Sequence, residues 1–146
     1  MLLDSDLLSK CSAEISILGD SVFNGETSLF IEDIINKRAQ YKVFAVLREE
    51  MIAGFLILST VLDEAEILEV AVPENLRRSG IASELMDEVF GWCQKNGTGQ
   101  IFLEVRESNF PARAYYKKYG FVENGLRKNY YRNPVENAVL MSKELA

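Results

Sequence analysis

Apolar residues along this chain switch repeatedly between helical and alternating spacing, and the switches mark its elements. Leu7, Leu8, Cys11, Ile15 and Leu18 recur three to four apart, predicting a helix over residues 4–20. Thr27 is placed to cap a second, short helix over SLFIEDIINK, with Phe30, Ile31, Ile34 and Ile35 inward. YKVFAVL and MIAGFLILST then read as two strands joined by the charged turn REE, an antiparallel hairpin. AEILEVAV is a third strand that stops at Pro73. Over residues 80–96, Ile81, Leu85, Met86, Val89, Phe90 and Cys93 form one stripe, and Asn96–Gly97 ends the helix. IFLEVR is a fourth strand, and PARAYYKKY a helix with Pro111 in its first turn. GFVENGLRKNYY and ENAVLMSKEL read as two last strands around the loop RNPV. Strands and helices mixed in this order predict an α/β (α+β) domain with a largely antiparallel sheet.

Within that frame one residue is out of place. Glu104 stands between Leu103 and Val105 in a strand whose other positions suit burial. It is either a solvated carboxylate beside Arg106 or a group with a chemical task.

Composition narrows the tasks. A chain of 146 residues, 48% hydrophobic and 26% charged, is expected to fold as one domain over residues 1–146. The net charge of −6 argues against direct nucleic-acid binding, which needs a basic face. MLLDSDLLSK carries aspartates where a signal peptide needs basic residues, and IAGFLILSTVL is too short to span a bilayer, so cytoplasmic residence without membrane contact is expected. Cys11 and Cys93 are far apart and form neither a disulfide framework nor a metal cluster. Histidine is absent, which removes the usual Ser/His/Asp and Cys/His hydrolase schemes and the common zinc sites. Acid–base chemistry would fall to Glu, Asp, Tyr, Lys, Cys or water; no metal is expected.

The turn after the third strand supplies a binding signal. Arg77 and Arg78 precede Gly80, which opens the long helix. A helix start offers unpaired N–H groups and a positive dipole end, and glycine permits close approach, as in a phosphate or pyrophosphate cradle. An ordinary solvated turn has the same look. Neither a P-loop nor the dinucleotide fingerprint G-x-G-x-x-G occurs.

Val70-x-x-Pro73 followed by Arg77-x-x-Gly80-x-Ala82 resembles the acetyl-CoA signature of the GNAT superfamily of N-acetyltransferases. LDEA at 62–65, LEVRESN at 103–109, Tyr116 ahead of Gly120–Phe121 and RKNYY at 127–131 resemble, in order and spacing, the bacterial ribosomal-protein-alanine N-acetyltransferases. The likeness runs from about Met51 to Met141. It implies a GNAT-like sheet with helices on both faces and a splayed parallel strand pair that holds the pantetheine arm of acetyl-CoA. Carried over residue by residue, Val70, Ala71 and Val72 line the arm; Arg78, Ser79, Gly80, Ile81, Ala82 and Ser83 hold the pyrophosphate, with Arg77 flanking; Asn109 contacts the cofactor. Glu104 matches the proton acceptor, Tyr116 the proton donor, and Tyr130 and Tyr131 edge the peptide groove. The implied partner is a protein N-terminus of the ribosome, met by a monomer or weak dimer.

The chemistry suits these residue types. An α-amino group has a pKa of about 8, so a base must take its proton before it attacks a thioester. Burial between apolar neighbours would favour Glu104 for that task. A tyrosine hydroxyl can return a proton to the departing thiolate, and a backbone N–H of residues 70–72 is the simplest holder of a developing oxyanion. Glu66 and Glu69 on the third strand are rival bases, and Tyr115 and Tyr116 both also suit core packing. Three features depart from the family. Its first strand is missing or very short here, FNGETS at 23–28 replaces an F-P-W-S segment, and Asn137 stands where an acid is usual.

Overall fold

A computed structural model describes residues 1–23, 31–36 and 40–145. The elements run α1 (Ser5–Phe23), α2 (Ile31–Asn36), β1 (Tyr41–Arg48), β2 (Met51–Val61), β3 (Glu64–Ala71), a single 3-10 turn (Glu74–Leu76), α3 (Ile81–Lys95), β4 (Gln100–Arg106), α4 (Phe110–Lys118), β5 (Val122–Tyr131) and β6 (Glu136–Glu144). The expected cap Thr27, with Phe30 and most of FNGETS, lies outside the described residues.

The six strands form one sheet in the order β1-β2-β3-β4-β6-β5. Every neighbouring pair is antiparallel except β3 with β4. That crossover carries α3, as a parallel connection requires. The mixed, largely antiparallel sheet is the one expected, with helices on both faces. Alternation along the strands decides which face each residue takes. Val43, Ala45, Phe55 and Ile57 bury against Leu8 and Ile15 of α1 and Ile34 of α2. Phe44, Leu56, Leu58, Ile101, Leu103 and Val105 bury against Ile81, Leu85, Met86, Val89 and Cys93 of α3 and Tyr116 of α4.

In place of a full first strand, Leu2 makes an antiparallel bridge to Phe44. Leu3 N donates to Val43 O and Ala45 N to Met1 O, each at 2.8 Å. These bonds cover part of the outer edge of β1.

The decisive irregularity is in β3. Its ladder with β2 slips by one residue, from Leu58↔Ile67 to Ile57↔Glu69, leaving Leu68 as a bulge. Before the bulge Ala65 and Ile67 face α3; after it Ala71 packs on the α1 side. A bulge bends its strand. β3 parts from β4 at the same place: their parallel ladder spans four pairs and ends at Ile67↔Leu103.

Gly54 on β2 sets how close α3 can come to this opening. A Cβ there would lie 2.7 Å from Ile81 Cγ2 and 3.2 Å from Ala71 O. Ile81, at the first turn of α3, is 2% exposed and closes down on that bare position. Gly54→Ala should therefore lower the unfolding free energy by about 1–3 kcal/mol, the usual scale of an overpacked core; equilibrium denaturation measures it.

Candidate active site

Past Ile67↔Leu103, residues 69–71 of β3 pair only with β2, and residues 104–106 of β4 only with β6. The facing edges carry backbone donors and acceptors that the sheet does not use. Val70 and Val72 are half-buried there, while Ala71 is buried toward α1. The opening is a slot in the sheet, and the helix starts of α3 and α4 stand at the same end of it.

The turn before α3 has the local geometry of an anion cradle. Arg78 and Gly80 take left-handed φ values of 65° and 84°, and no side chain caps the first turn of α3. Only the conformation demands glycine at position 80, because a Cβ there would meet nothing within 4 Å. The N–H groups at the start of α3 are thus aimed outward and unused by the helix. Ser79 Oγ donates to Leu76 O, and Arg77 Nε to Val72 O at 3.4 Å, which ties the turn to the end of β3. The side-chain role of Ser83 differs: its Oγ accepts from the Tyr119 hydroxyl at 2.5 Å, and Ala82 O accepts from the Tyr115 hydroxyl at 2.7 Å. These two bonds staple α4 to the first turn of α3 and leave the backbone N–H groups of both residues for a ligand.

Asn109 is the N-cap of α4, its Oδ1 accepting from Ala112 N at 3.2 Å. Its carbonyl-type oxygen is thereby committed to the start of the helix. Tyr116 is 9% exposed and packs edge-on against Tyr115 and Phe121, with ring centroids 5.2 and 5.7 Å away. Burial, and then the neighbouring Tyr131, push its hydroxyl well above the ordinary tyrosine value. It therefore keeps its proton throughout the neutral range. The core-packing reading of this residue holds, and its hydroxyl keeps its proton there.

Glu104 is the first residue of β4 beyond the last pair with β3. Alternation puts it on the face opposite Leu103 and Val105, where no described helix covers β4, β6 and β5. It opens onto a cleft of about 370 Å³ lined by residues that include Glu64, Glu66, Phe102, Asn124, Arg127 and Leu140. Its side chain is 19% exposed and lies 3.4 Å from Arg127 Nη1. Neither full burial nor free solvation describes it.

The rival carboxylates separate. Glu66 shares the cleft. Partial burial first, and the charge of Glu104 second, raise its carboxyl above the ordinary value, against an opposing pull from Arg127. Glu69 is 8% exposed and sits beyond the bulge, opposite Ile57, on the side facing α1 rather than in the cleft. The one-residue slip at Leu68, invisible in the sequence, brings Glu69 to the same face as Glu66 but further along the strand, out of the cleft.

Tyr130 and Tyr131 contact each other edge-on at 5.1 Å at the end of β5. Tyr131 is pushed up to about 12 by burial and then by Glu104. It lies within electrostatic reach of both Glu104 and Tyr116. Its ring also carries Arg106, 4.4 Å from the centroid.

Arg106 and Glu136 were not foreseen. Arg106 donates to Pro134 O and Arg132 O, each at 3.1 Å, and pairs with Glu136 Oε1 at 3.3 Å. Glu136 Oε2 also accepts from Ser108 N at 2.6 Å. Together they clamp the loop after Tyr131 to the end of β4. Asn137, the departure from the family's acid, fills a similar place: its Oδ1 accepts from Asn129 N at 2.9 Å. Arg106 and Glu136 lie 30 positions apart in sequence, so no local spacing announced their pairing.

A profile described as the acetyltransferase (GNAT) family matches residues 14–121. The chain belongs to the GNAT family of acetyltransferases. It is similar to the ribosomal protein bS18-alanine N-acetyltransferase of Haemophilus influenzae, 37% identical over 110 residues that cover 73% of this chain and 75% of that protein. The enzyme of the same name from Escherichia coli K12 is 34% identical over 109 residues, covering 73% and 74%. The crystal structure of the Escherichia coli ribosomal-protein-S18-alanine N-acetyltransferase superposes with a TM-score of 0.74 at 31% identity, over 82% of this chain and 77% of that one. Ard1 from Thermoplasma volcanium gives a TM-score of 0.81 at 27% identity, over 100% and 96%. This GNAT protein is therefore an acetyl-CoA-dependent N-acetyltransferase.

Ser108 and Arg106 hold the Glu136 carboxyl below the usual carboxylate range. A depressed acid contributes its bond above its unfolded value and loses it as pH falls through the folded one. Hydrogen exchange should therefore find the Ser108 amide protected at neutral pH and released on acidification. Glu136→Gln should lose much of that protection at neutral pH too.

Proposed function

We propose that this enzyme transfers an acetyl group from acetyl-CoA to the α-amino group of the N-terminal alanine of the small-subunit ribosomal protein bS18, in the cytoplasm. The observation that carries the reading is the position of Glu104. It is the first β4 residue past the last β3–β4 pair, and it opens onto a cleft where Glu64 and Glu66 add negative charge. Such a cleft suits a cationic terminal amine better than a neutral one. The named activities of relatives at 34–37% identity support the choice of acceptor.

The residues present fit acetyl-CoA. The outward N–H groups of Gly80, Ile81, Ala82 and Ser83, with Arg77, Arg78 and Ser79 beside them, would hold its pyrophosphate. The unpaired edge of Val70, Ala71 and Val72 would take its arm, and the Asn109 amide would meet it from the start of α4. When bound, acetyl-CoA supplies the activated acyl group as a thioester. Glu104 accepts the proton of the incoming ammonium, making the nitrogen a nucleophile. Tyr116 carries a proton on its hydroxyl for the departing sulfur. Tyr131, with Tyr130 beside it, forms the wall against which the first residues of the acceptor lie. Glu104 and Tyr116 come from opposite faces of the sheet, and the slot between β3 and β4 lets them serve one reaction.

Glu104→Gln should lower kcat by about 10²-fold or more while CoA affinity stays within twofold, because only the proton acceptor is removed. Steady-state kinetics and calorimetry read the two quantities; near-normal turnover would pass the role to Glu66. Tyr116→Phe keeps the packing and should reduce turnover about tenfold or more, whereas unchanged turnover would make water the donor. For the acceptor, a peptide with the bS18 N-terminus should be acetylated in preference to polyamines and internal lysine peptides. Turnover confined to the small amines would overturn the assignment.

A further inference from the structure

One contact in the cleft has no part in the proton transfers above. Arg127 Nη1 lies 3.4 Å from Glu104 Oε1, and the guanidinium sits 5.1 Å over the Tyr130 ring. A cation thus already occupies the carboxylate that an incoming ammonium must reach. The arginine side chain is 54% exposed, so this ion pair is weak and readily exchanged. A second acceptor is at hand. Glu66 lines the same cleft and feels the charges of both Glu104 and Arg127. The other groups acting near Glu104 are Tyr130 and Tyr131 of β5, which carry no charge at neutral pH.

We propose that Arg127 holds on Glu104 the place that the acceptor's ammonium takes, and that it moves to Glu66 as the acceptor enters. The inference rests on Glu104 being the proton acceptor. An ammonium competes with a guanidinium for one carboxylate, whereas the neutral amide formed by acetylation does not. Once Glu104 has passed its proton to water, Arg127 closes back on it and the product has no claim on the site. Arg127 is thereby a specificity residue. It sets a threshold that a charged terminal amine can meet and a neutral group cannot.

Kinetics of the full chain with the bS18 N-terminal peptide, at saturating acetyl-CoA, test this. Arg127→Gln should lower the peptide KM roughly two- to fivefold, the scale of an exposed ion pair, without raising kcat. Lost packing would not tighten substrate binding, so the direction is informative. Lys128→Gln makes the same charge change on the next residue and should leave KM alone. Glu66→Gln should raise KM by stranding Arg127 on Glu104, and that rise should shrink when combined with Arg127→Gln. A higher KM in Arg127→Gln would make Arg127 a substrate contact and overturn the proposal. An equal drop in Lys128→Gln would assign the effect to net charge and overturn it too, and additivity of the Glu66 and Arg127 effects would overturn the movement. Loss of turnover in Glu104→Gln with an unchanged KM in Arg127→Gln defeats this inference alone, whereas near-normal turnover in Glu104→Gln defeats the base on which it rests.

Discussion

The molecule depends on where one strand pair stops. β3 and β4 pair over four positions and then part at Ile67↔Leu103, beside the bulge at Leu68. A parallel ladder that ran on would seal the sheet and leave no opening at Glu104. Ending it exposes two strand edges whose backbone groups need partners, and that need is met by an extended ligand or by solvent. The bulge also rotates the end of β3, so Ala71 packs toward α1 while Val70 and Val72 reach the other cluster.

Everything else in the site is held relative to that parting. Gly54 lets α3 seat Ile81 against β2, which fixes the height of the helix start above the slot. Tyr115 and Tyr119 then bind α4 to the first turn of α3. The anion cradle and Tyr116 are therefore parts of one rigid unit. On the other face Arg106 and Glu136 hold the loop after Tyr131 to the end of β4, from the strand that also carries Glu104. Alternate residues of β4 thus carry Glu104 into the cleft and hold the loop after Tyr131.

Much of the fold was legible in sequence because it rests on periodicity. The α3 stripe of Ile81, Leu85, Met86, Val89 and Cys93 is buried as its spacing requires. The alternation in IFLEVR put Ile101, Leu103 and Val105 inside, and so put Glu104 outside that core. Gly80 was legible for a similar reason, since a left-handed residue before a helix narrows the choice of side chain. Arg127, Arg106 and Glu136 were not legible. A charged residue in an exposed strand has no local signature of its partner, and these partners meet only when β4, β5 and β6 are laid side by side.

The sequence by itself determined the order of elements, the two buried faces and the family, because hydrophobic spacing and turn chemistry act over a few residues. It also limited the chemistry, since a chain without histidine is left with Glu, Asp, Tyr, Lys, Cys or water to move protons. Only the tertiary structure showed which glutamates share the cleft. Glu66 and Glu69 share one strand, and the single bulged residue between them brings both to one face, Glu66 in the cleft and Glu69 further along, opposite Ile57. Register across the sheet is a long-range property set by which strands pair and where they slip. For the same reason Glu104 has a cation beside it. Residue 127 reaches it through two strand pairings, β4 with β6 and β6 with β5, and no stretch of sequence contains that path.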